Sequence, residues 1–242
     1  MVRVPLSDLC EGERELDPKT LHYLRDVLRL RAGDPFVAFD AQAGLEAEAA
    51  LGAGSESSAR CVLGAPRTAQ RSENTGIVLV QALGKGDKTE QVVRAATALG
   101  VAELHLVETA RSVARAGERS ASKHARLESI ALDAARQSLR GDVPVIVGPH
   151  GFERELELWS ERDALKLCLM PGATQSFASL IRAWTPGSPL SLLVGPEGGL
   201  SDDEVARAAE VGFVAARFGQ LVLRTEIAGI AALGALLSHW DP

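Results

Sequence analysis

The chain has 242 residues and a mass of 25.6 kDa, with 46% apolar and 24% charged residues, the balance of a folded globular protein rather than a disordered one. Lys plus Arg number 26 against 32 Asp plus Glu, a net charge of −6, which argues against a protein that coats nucleic acid indiscriminately, because such binding rests on neutralising phosphates. Aromatics at 4% exclude a broad base-stacking platform, and the longest apolar run, Ile227 to Leu237, is too short to span a bilayer.

The first residues, Met1 to Asp8, lack the apolar stretch of a secretory signal, so export is not expected. Residues 1–71 read as a small β-rich domain. A helical stretch runs from about Pro18 to Leu28, strand-like pieces fall at Pro35–Phe39 and Arg60–Leu63, and the Gly/Ser/Ala-rich run Leu51–Ser58 reads as a loop between them. The polar run Arg67–Asn74 is the expected linker, which sets the domains at 1–71 and 72–242. Cys10, Cys61 and Cys168 are odd in number and far apart, with no CxxC pair, so buried free thiols in a reducing cytoplasm are expected. No close pairing of the five histidines supports a metal site.

From Thr75 onward, short β-branched or Leu-rich runs alternate with helical patterns. Strands are expected at Ile77–Leu83, Leu104–Val107, Val143–Val147, Leu165–Met170, Leu190–Val194 and Val214–Phe218. This alternation predicts an α/β domain with a mostly parallel sheet covered on both faces by helices. Asp87 with Glu90, and Ser201 with Glu204, have capping-box spacing, and Gly100 and Gly212 stand where left-handed helix ends fall.

Four segments carry candidate chemistry. Gly84-Lys85-Gly86-Asp87-Lys88 follows the first strand; it lacks the GxxxxGK[ST] spacing, which disfavours nucleoside triphosphate hydrolysis, and its lysines are either solvated or set against an RNA backbone. Arg111 to Arg126 holds Arg111, Arg115, Arg119, Lys123 and Arg126 against Glu118, either a solvated helix face or an electrostatic footprint for nucleic acid, and Lys19, His22, Arg25, Arg29 and Arg31 form a second such group. Leu190–Val194 runs into a loop with Gly195, Gly198 and Gly199, where a parallel strand ends and a ligand can approach the backbone. The acidic Asp202-Asp203-Glu204 beyond it argues for a neutral or cationic ligand rather than a phosphate; the alternative is a tight turn with no ligand. In Phe218–Glu226, Arg224 and Glu226 lie between apolar runs, either as a surface ion pair or as a polar pair at the mouth of a site.

These residues together resemble a family. Gly195-Pro-Glu-Gly-Gly199-Leu-Ser201 and Gly219-x-x-Val222-Leu223-Arg224-Thr225-Glu226 are similar to the two late motifs of the RsmE family, the 16S ribosomal RNA uridine-N3 methyltransferases. Lys85-Gly86-Asp87-Lys88-x-Glu90, Leu99-Gly100-Val101, Arg111-Ser112-Val113, Gln137-Ser138, Val27-Leu28-Arg29-Leu30-Arg31-x-Gly33-Asp34 and Phe39-Asp40 match in the same order along nearly the whole chain. The chain departs from the family's usual residues at Ala95, Ala98, Ala110, Arg136, Leu139 and Ile227, and keeps the cofactor glycines.

The resemblance implies a PUA-like RNA-binding β-barrel followed by a SPOUT methyltransferase domain whose C-terminal part is tied in a trefoil knot around S-adenosylmethionine, working as a homodimer without a metal. The placement of the richest glycine loop after the fifth strand rather than the first agrees with a knot-type site over a Rossmann-type one. Cofactor contacts would fall to Met170, Pro171 and Gly172, to Val194, Gly195, Pro196, Glu197, Gly198 and Gly199, and to Phe218, Gly219, Leu221, Val222, Leu223 and Thr225. The implied reaction methylates N3 of a uridine in 16S ribosomal RNA, uridine 1498 in the family, on naked RNA or on the small subunit. Arg224 is the candidate for stabilising charge on the uracil oxygens, and Glu226 or Glu197 for orienting it or accepting a proton. Arg25, Arg29, Arg31, Lys85, Lys88, Arg111, Arg115 and Arg140 are the candidate RNA contacts. A SPOUT enzyme of another position, such as a ribose 2′-hydroxyl, and a noncatalytic ribosomal RNA binder are the alternatives.

Overall fold

A computed structural model describes residues 1–55, 58–70, 76–113 and 120–240. The chain divides into two compact units, one of Met1–Ser72 with Ala135–Val143 and one of Glu73–Ala134 with Pro144–Pro242. The nine residues Ala135–Val143, which the sequence reading leaves in the second domain, thus pack with the first. There the Gly141 amide donates to the Gln70 carbonyl at 2.6 Å, and Gly141 lies so close to Ala69 that a side chain would not fit.

The first unit contains β1 (Arg3–Pro5), β2 (Gly12–Glu15), α1 (Pro18–His22) continuing into a π-helical turn (Tyr23–Val27), β3 (Pro35–Asp40), β4 (Leu45–Gly54), β5 (Ala59–Leu63) and β6 (Arg67–Thr68). Asp17 caps α1 by accepting from the Lys19 and Thr20 amides at 3.0 Å, with Pro18 at the first helical position. The strands form one sheet in the order β1-β3-β4-β5-β2, with β6 on β4, antiparallel except for the β1–β3 pair. In β5 Ala59, Cys61 and Leu63 face a core with Leu24, Phe36 and Leu51, while Arg60 and Val62 point out, the period-two pattern of a sheet wetted on one face.

Three expectations are corrected here. Leu51 to Gly54 is not loop but the end of β4; a Cβ on Gly52 would stand 2.7 Å from the Arg60 carbonyl oxygen, and one on Gly54 would collide with Ser58, so the small residues permit close strand approach. Arg67 and Thr68, expected in the linker, pair with β4, and Ala69 is buried; Arg71 to Asn74 lie outside the described residues. Cys10 is exposed, whereas Cys61 and Cys168 are buried, and burial pushes the Cys168 thiol up to about 12.

The second unit alternates strands and helices: β7 (Ile77–Ala82), α2 (Lys88–Ala98), β8 (Glu103–Glu108), α3 (Ser120–Gln137), β9 (Val145–Gly151), α4 (Phe152–Ser160), β10 (Leu165–Leu169), α5 (Phe177–Leu180) with a 3₁₀ turn (Ile181–Ala183), β11 (Leu190–Val194), α6 (Asp202–Glu210), β12 (Val214–Ala216) and α7 (Thr225–Trp240). Its six strands are all parallel, in the order β12-β10-β11-β7-β8-β9. Every residue of β7 and of β11 is buried, as a central parallel strand covered on both faces requires. Gly100 and Gly212 end α2 and α6 with φ of 83° and 94°. Ser201 and Glu204 form a reciprocal capping box on α6. Asp87 does not cap α2 with its side chain; its carboxylate takes the Gln91 amide instead, and Glu90 pairs with Arg126.

A charged cluster sits inside this unit. His105 of β8 faces the Glu155 carboxylate through Nδ1 at 2.8 Å and the Glu103 carboxylate through Nε2 at 2.9 Å. Carboxylates only accept, so this arrangement favours the ring form in which both nitrogens donate. Although burial works against the charge, these carboxylates raise the His105 pKa. Trp159 and His150 complete the partners of Glu155, and Arg162 holds Glu103.

Candidate active site

In a parallel sheet, ligands bind beyond the carboxyl ends of the strands, where the strand order reverses. Here that point lies between β7 and β11: the chain runs outward from β7 through β8 to β9, then resumes on the other side with β10 and fills in β11. The segment after edge strand β12 returns across the ends of β10 and β11 to start α7. A cleft of about 570 Å³ opens between these loops, within the range of small-molecule sites. Its walls are Leu169–Gly172 after β10, Val194–Glu197 with Gly199 and Leu200 after β11, and Arg217–Thr225 after β12, with Lys88 and Ala228.

Each wall is fastened by identifiable contacts. The Thr225 hydroxyl, at the start of α7, donates to the Gly195 carbonyl at 2.6 Å and accepts from the buried Gln81 amide of β7 at 3.0 Å. One threonine therefore ties β7, the glycine loop and α7 together. Glu204 accepts the Ala110 amide at 2.7 Å besides capping α6, and the Arg111 guanidinium donates to the carbonyls of Gly198 and Leu200 at 3.1 and 3.2 Å. Gly198 backs onto Arg111, where a Cβ would meet the arginine stem at 3.1 Å. On the third wall, the Arg217 amide bonds to Gln175, its carbonyl accepts from Phe177, and Phe218 meets Phe177 edge-on at 5.2 Å. Gly172, Gly199 and Gly219 have φ of 81°, 70° and 73°, a conformation in which other residues are strained.

The charges of the cleft fall into two sets. Lys88 places its ammonium between Glu197 at 2.9 Å and Glu226 at 3.3 Å. The hydrogen bond to Glu197 first, and then the pairing with Glu226, raise the Lys88 pKa; burial would raise that of Glu197, but Lys88 brings it below the ordinary value. Arg217 and Arg224 also line the cleft, and their guanidinium groups make no hydrogen bond or ion pair among the described residues.

Of the residues singled out as cofactor contacts, all line this cleft except Gly198, which is held against Arg111. Glu226 stands behind the lining, bound to Lys88. The candidate RNA contacts scatter. Arg29 and Arg31 are exposed, Lys85 is exposed with its amide on Glu197, and Arg25 donates to the carbonyls of Gly54 and Ser55. Arg140 is a correction: it is buried with its guanidinium on both oxygens of Asp142, and so is not presented to a polyanion. Arg115 lies outside the described residues. Sequence reasoning missed Gln81 and Arg217. Gln81 is a polar residue inside the apolar run Ile77–Leu83, and Arg217 interrupts an apolar strand just before Phe218; both were visible as misplaced polar groups.

Comparison with known proteins agrees with this geometry. A family model described as an RNA methyltransferase domain matches residues 71–237. The chain is similar to the ribosomal RNA small subunit methyltransferase E of Bacillus subtilis, 31% identical over 221 residues covering 89% of this chain and 86% of that protein. To the protein of the same name from Mycobacterium tuberculosis it is 36% identical over 173 residues, 68% of this chain and 65% of the relative. Among solved structures, a Legionella pneumophila methyltransferase in complex with the cofactor SAM superposes with a TM-score of 0.88 at 27% identity, covering 98% of this chain and 97% of that one. Ribosomal RNA small subunit methyltransferase E from Neisseria gonorrhoeae, bound to S-adenosyl methionine, superposes with a TM-score of 0.87 at 27% identity, covering 99% and 98%.

Proposed function

The chain belongs to the ribosomal RNA small subunit methyltransferase E family, and we propose that the cleft beyond β10, β11 and β12 binds S-adenosylmethionine and carries its methyl to N3 of a uridine in 16S ribosomal RNA, at the family's uridine 1498. The protein is a methyltransferase of small-subunit ribosomal RNA that uses S-adenosylmethionine. The observation that carries the finer reading is the pair of unpartnered guanidinium groups in a cleft whose carboxylates are already engaged.

The residues fit the cofactor. Leu169, Met170, Val194, Leu223 and Ala228 give an apolar lining for a nucleobase, and the glycine turns present backbone groups at close range. S-adenosylmethionine, when bound, supplies an electrophilic methyl on a sulfonium that ends as a neutral thioether. With cofactor and nucleobase bound, the loops would hold N3 beside the methyl, and Arg224 would stabilise the negative charge that spreads over the uracil oxygens when the N3 proton is removed. Glu226 and Glu197 are the carboxylates available to orient Arg224 or to take the proton. The target uridine leaves its stack to reach the cleft, which suits a single-stranded or loop site.

Within this proposal the first unit is a PUA-like RNA-binding domain over about residues 1–71, and the return of the chain from β12 to α7 is a SPOUT-type knot. Arg25, Arg29 and Arg31 there, and Lys85 and Arg115 in the second unit, grip the RNA. The protein acts as a homodimer: Leu221 and Val222 are 82% and 76% exposed, Ile227 follows on α7, and α7 beyond Glu226 is predominantly apolar, the character of a helix covered on most sides. Transfer of labelled methyl from S-adenosylmethionine into small-subunit RNA, followed by nucleoside mass analysis, is expected to give N3-methyluridine. Arg224→Ala is expected to abolish that transfer with an unchanged melting temperature; retained activity would remove Arg224 from the mechanism.

A further inference from the structure

We propose that Lys88 is a positioning residue of the transfer site, a half-buried cation that clamps the Gly195–Leu200 loop to the first turn of α7 through Glu197 and Glu226. The inference rests on the methyltransferase reading of the cleft but reaches a residue that the sequence leaves as either solvated or set against an RNA backbone. Lys88 begins α2, Glu197 lies in the loop after β11 and Glu226 in α7, so three separate segments meet at one ammonium. Its path is built into the chain: a Cβ on Gly84 would stand 2.9 Å from the Lys88 Cβ and 3.4 Å from its Cδ, so only glycine leaves the lane open. The Lys85 amide adds a further hydrogen bond to the same Glu197 oxygen at 3.3 Å.

The electrostatic consequence follows from the distances. Two carboxylates around one ammonium are favourable together; without the cation they are neighbouring like charges with nothing to offset their repulsion. An ammonium held by two carboxylates is also a poor partner for phosphate, because binding RNA there would leave Glu197 and Glu226 unpaired in a half-closed cleft. With Lys88 in place the two carboxylates hold the loop against α7, and the guanidinium of Arg224, without a hydrogen bond or ion pair among the described residues, stays open toward the nucleobase. The other charged groups lining the cleft are Arg217 and Arg224; Lys85 reaches Glu197 through its backbone amide, and Asp87 lies beside Lys88 in sequence with its carboxylate on Gln91.

The test reads S-adenosylhomocysteine affinity by calorimetry between about pH 5 and pH 8, alongside methyl transfer. Wild type is expected to bind with little pH dependence. Lys88→Met is expected to lose about tenfold in affinity near neutrality, because the loop is no longer tied to α7 and two like charges face each other without a cation, and to acquire an acid-dependent binding curve. Lys88→Arg restores the flat profile. Adding Glu226→Gln to Lys88→Met removes the unbalanced charge and recovers affinity, which also separates a positioning role from simple misfolding. A Lys88→Met protein with unchanged ligand affinity and pH profile but a raised KM for RNA and a shallower salt dependence would overturn the proposal in favour of a phosphate contact. Absence of methyl transfer by wild type would overturn the functional reading instead, and the ligand-binding arms would still decide the role of Lys88.

Discussion

Thr225→Val removes one oxygen and keeps the shape of the side chain, so its effect isolates two hydrogen bonds. The Gln81 amide that now donates to Thr225 is buried, with Gln81 only 2% exposed, and its second donor already reaches the Ala82 carbonyl at 3.2 Å. Losing the threonine oxygen leaves one buried N–H without a partner, a cost of about 1–3 kcal/mol. The Gly195 carbonyl is half-buried at the cleft, where water can replace the hydroxyl, so its loss adds only about 0.5–1.5 kcal/mol. A total of about 1.5–4.5 kcal/mol is expected, measured as a shift of the denaturant midpoint for the second unit at constant m-value. Because the same hydroxyl anchors the glycine loop, S-adenosylhomocysteine affinity should fall with stability, and Thr225→Ser should recover both. A valine variant as stable as wild type, with undiminished ligand affinity, would refute the reasoning.

Two further outcomes concern the packing away from the cleft. The Glu103 carboxyl, held down to about 2 chiefly by the His105 hydrogen bond and further by Arg162, contributes stability that is present above its unfolded pKa of about 4.5 and lost as pH falls toward 2; His105, raised above 6.5, contributes stability that is full below 6.5 and lost as pH rises through its folded value. Melting temperature measured against pH should therefore decline on both sides, and Glu103→Gln should flatten the acid side. Gly141→Ala forces a methyl into Ala69 and the Gln70 carbonyl, and should destabilise the first unit by about 1–3 kcal/mol in denaturant unfolding, with the second unit's transition unmoved.

Much of this molecule was legible in one dimension. Burial on both faces makes a parallel strand a continuous apolar run, so the runs Leu190–Val194 and Ile77–Leu83 read as strands from residue type, and β11 and β7 fall on them, β7 ending at Ala82. The Ser201–Glu204 box and the glycines at 100 and 212 encode helix ends because their partners lie within one turn. Asp87–Glu90 has the same spacing and fails, since Gln91 and Arg126 compete for the two carboxylates. Arg140 and the small residues from Leu51 to Gly54 were misread for a related reason, their conformation being set by Asp142 and by the facing strand β5.

The order of the strands, and with it the meeting of three loops at one cleft, belongs to the tertiary structure. Hydrophobic period reports whether a residue is inside, not which strand lies beside it, so the insertion of β11 between β10 and β7 is invisible in the chain. That insertion brings Glu197 to Lys88 across 109 positions and Thr225 to Gln81 across 144. Residue identity supplied the charges; only folding decided that an ammonium would be spent on two carboxylates, leaving the guanidinium groups of Arg217 and Arg224 open.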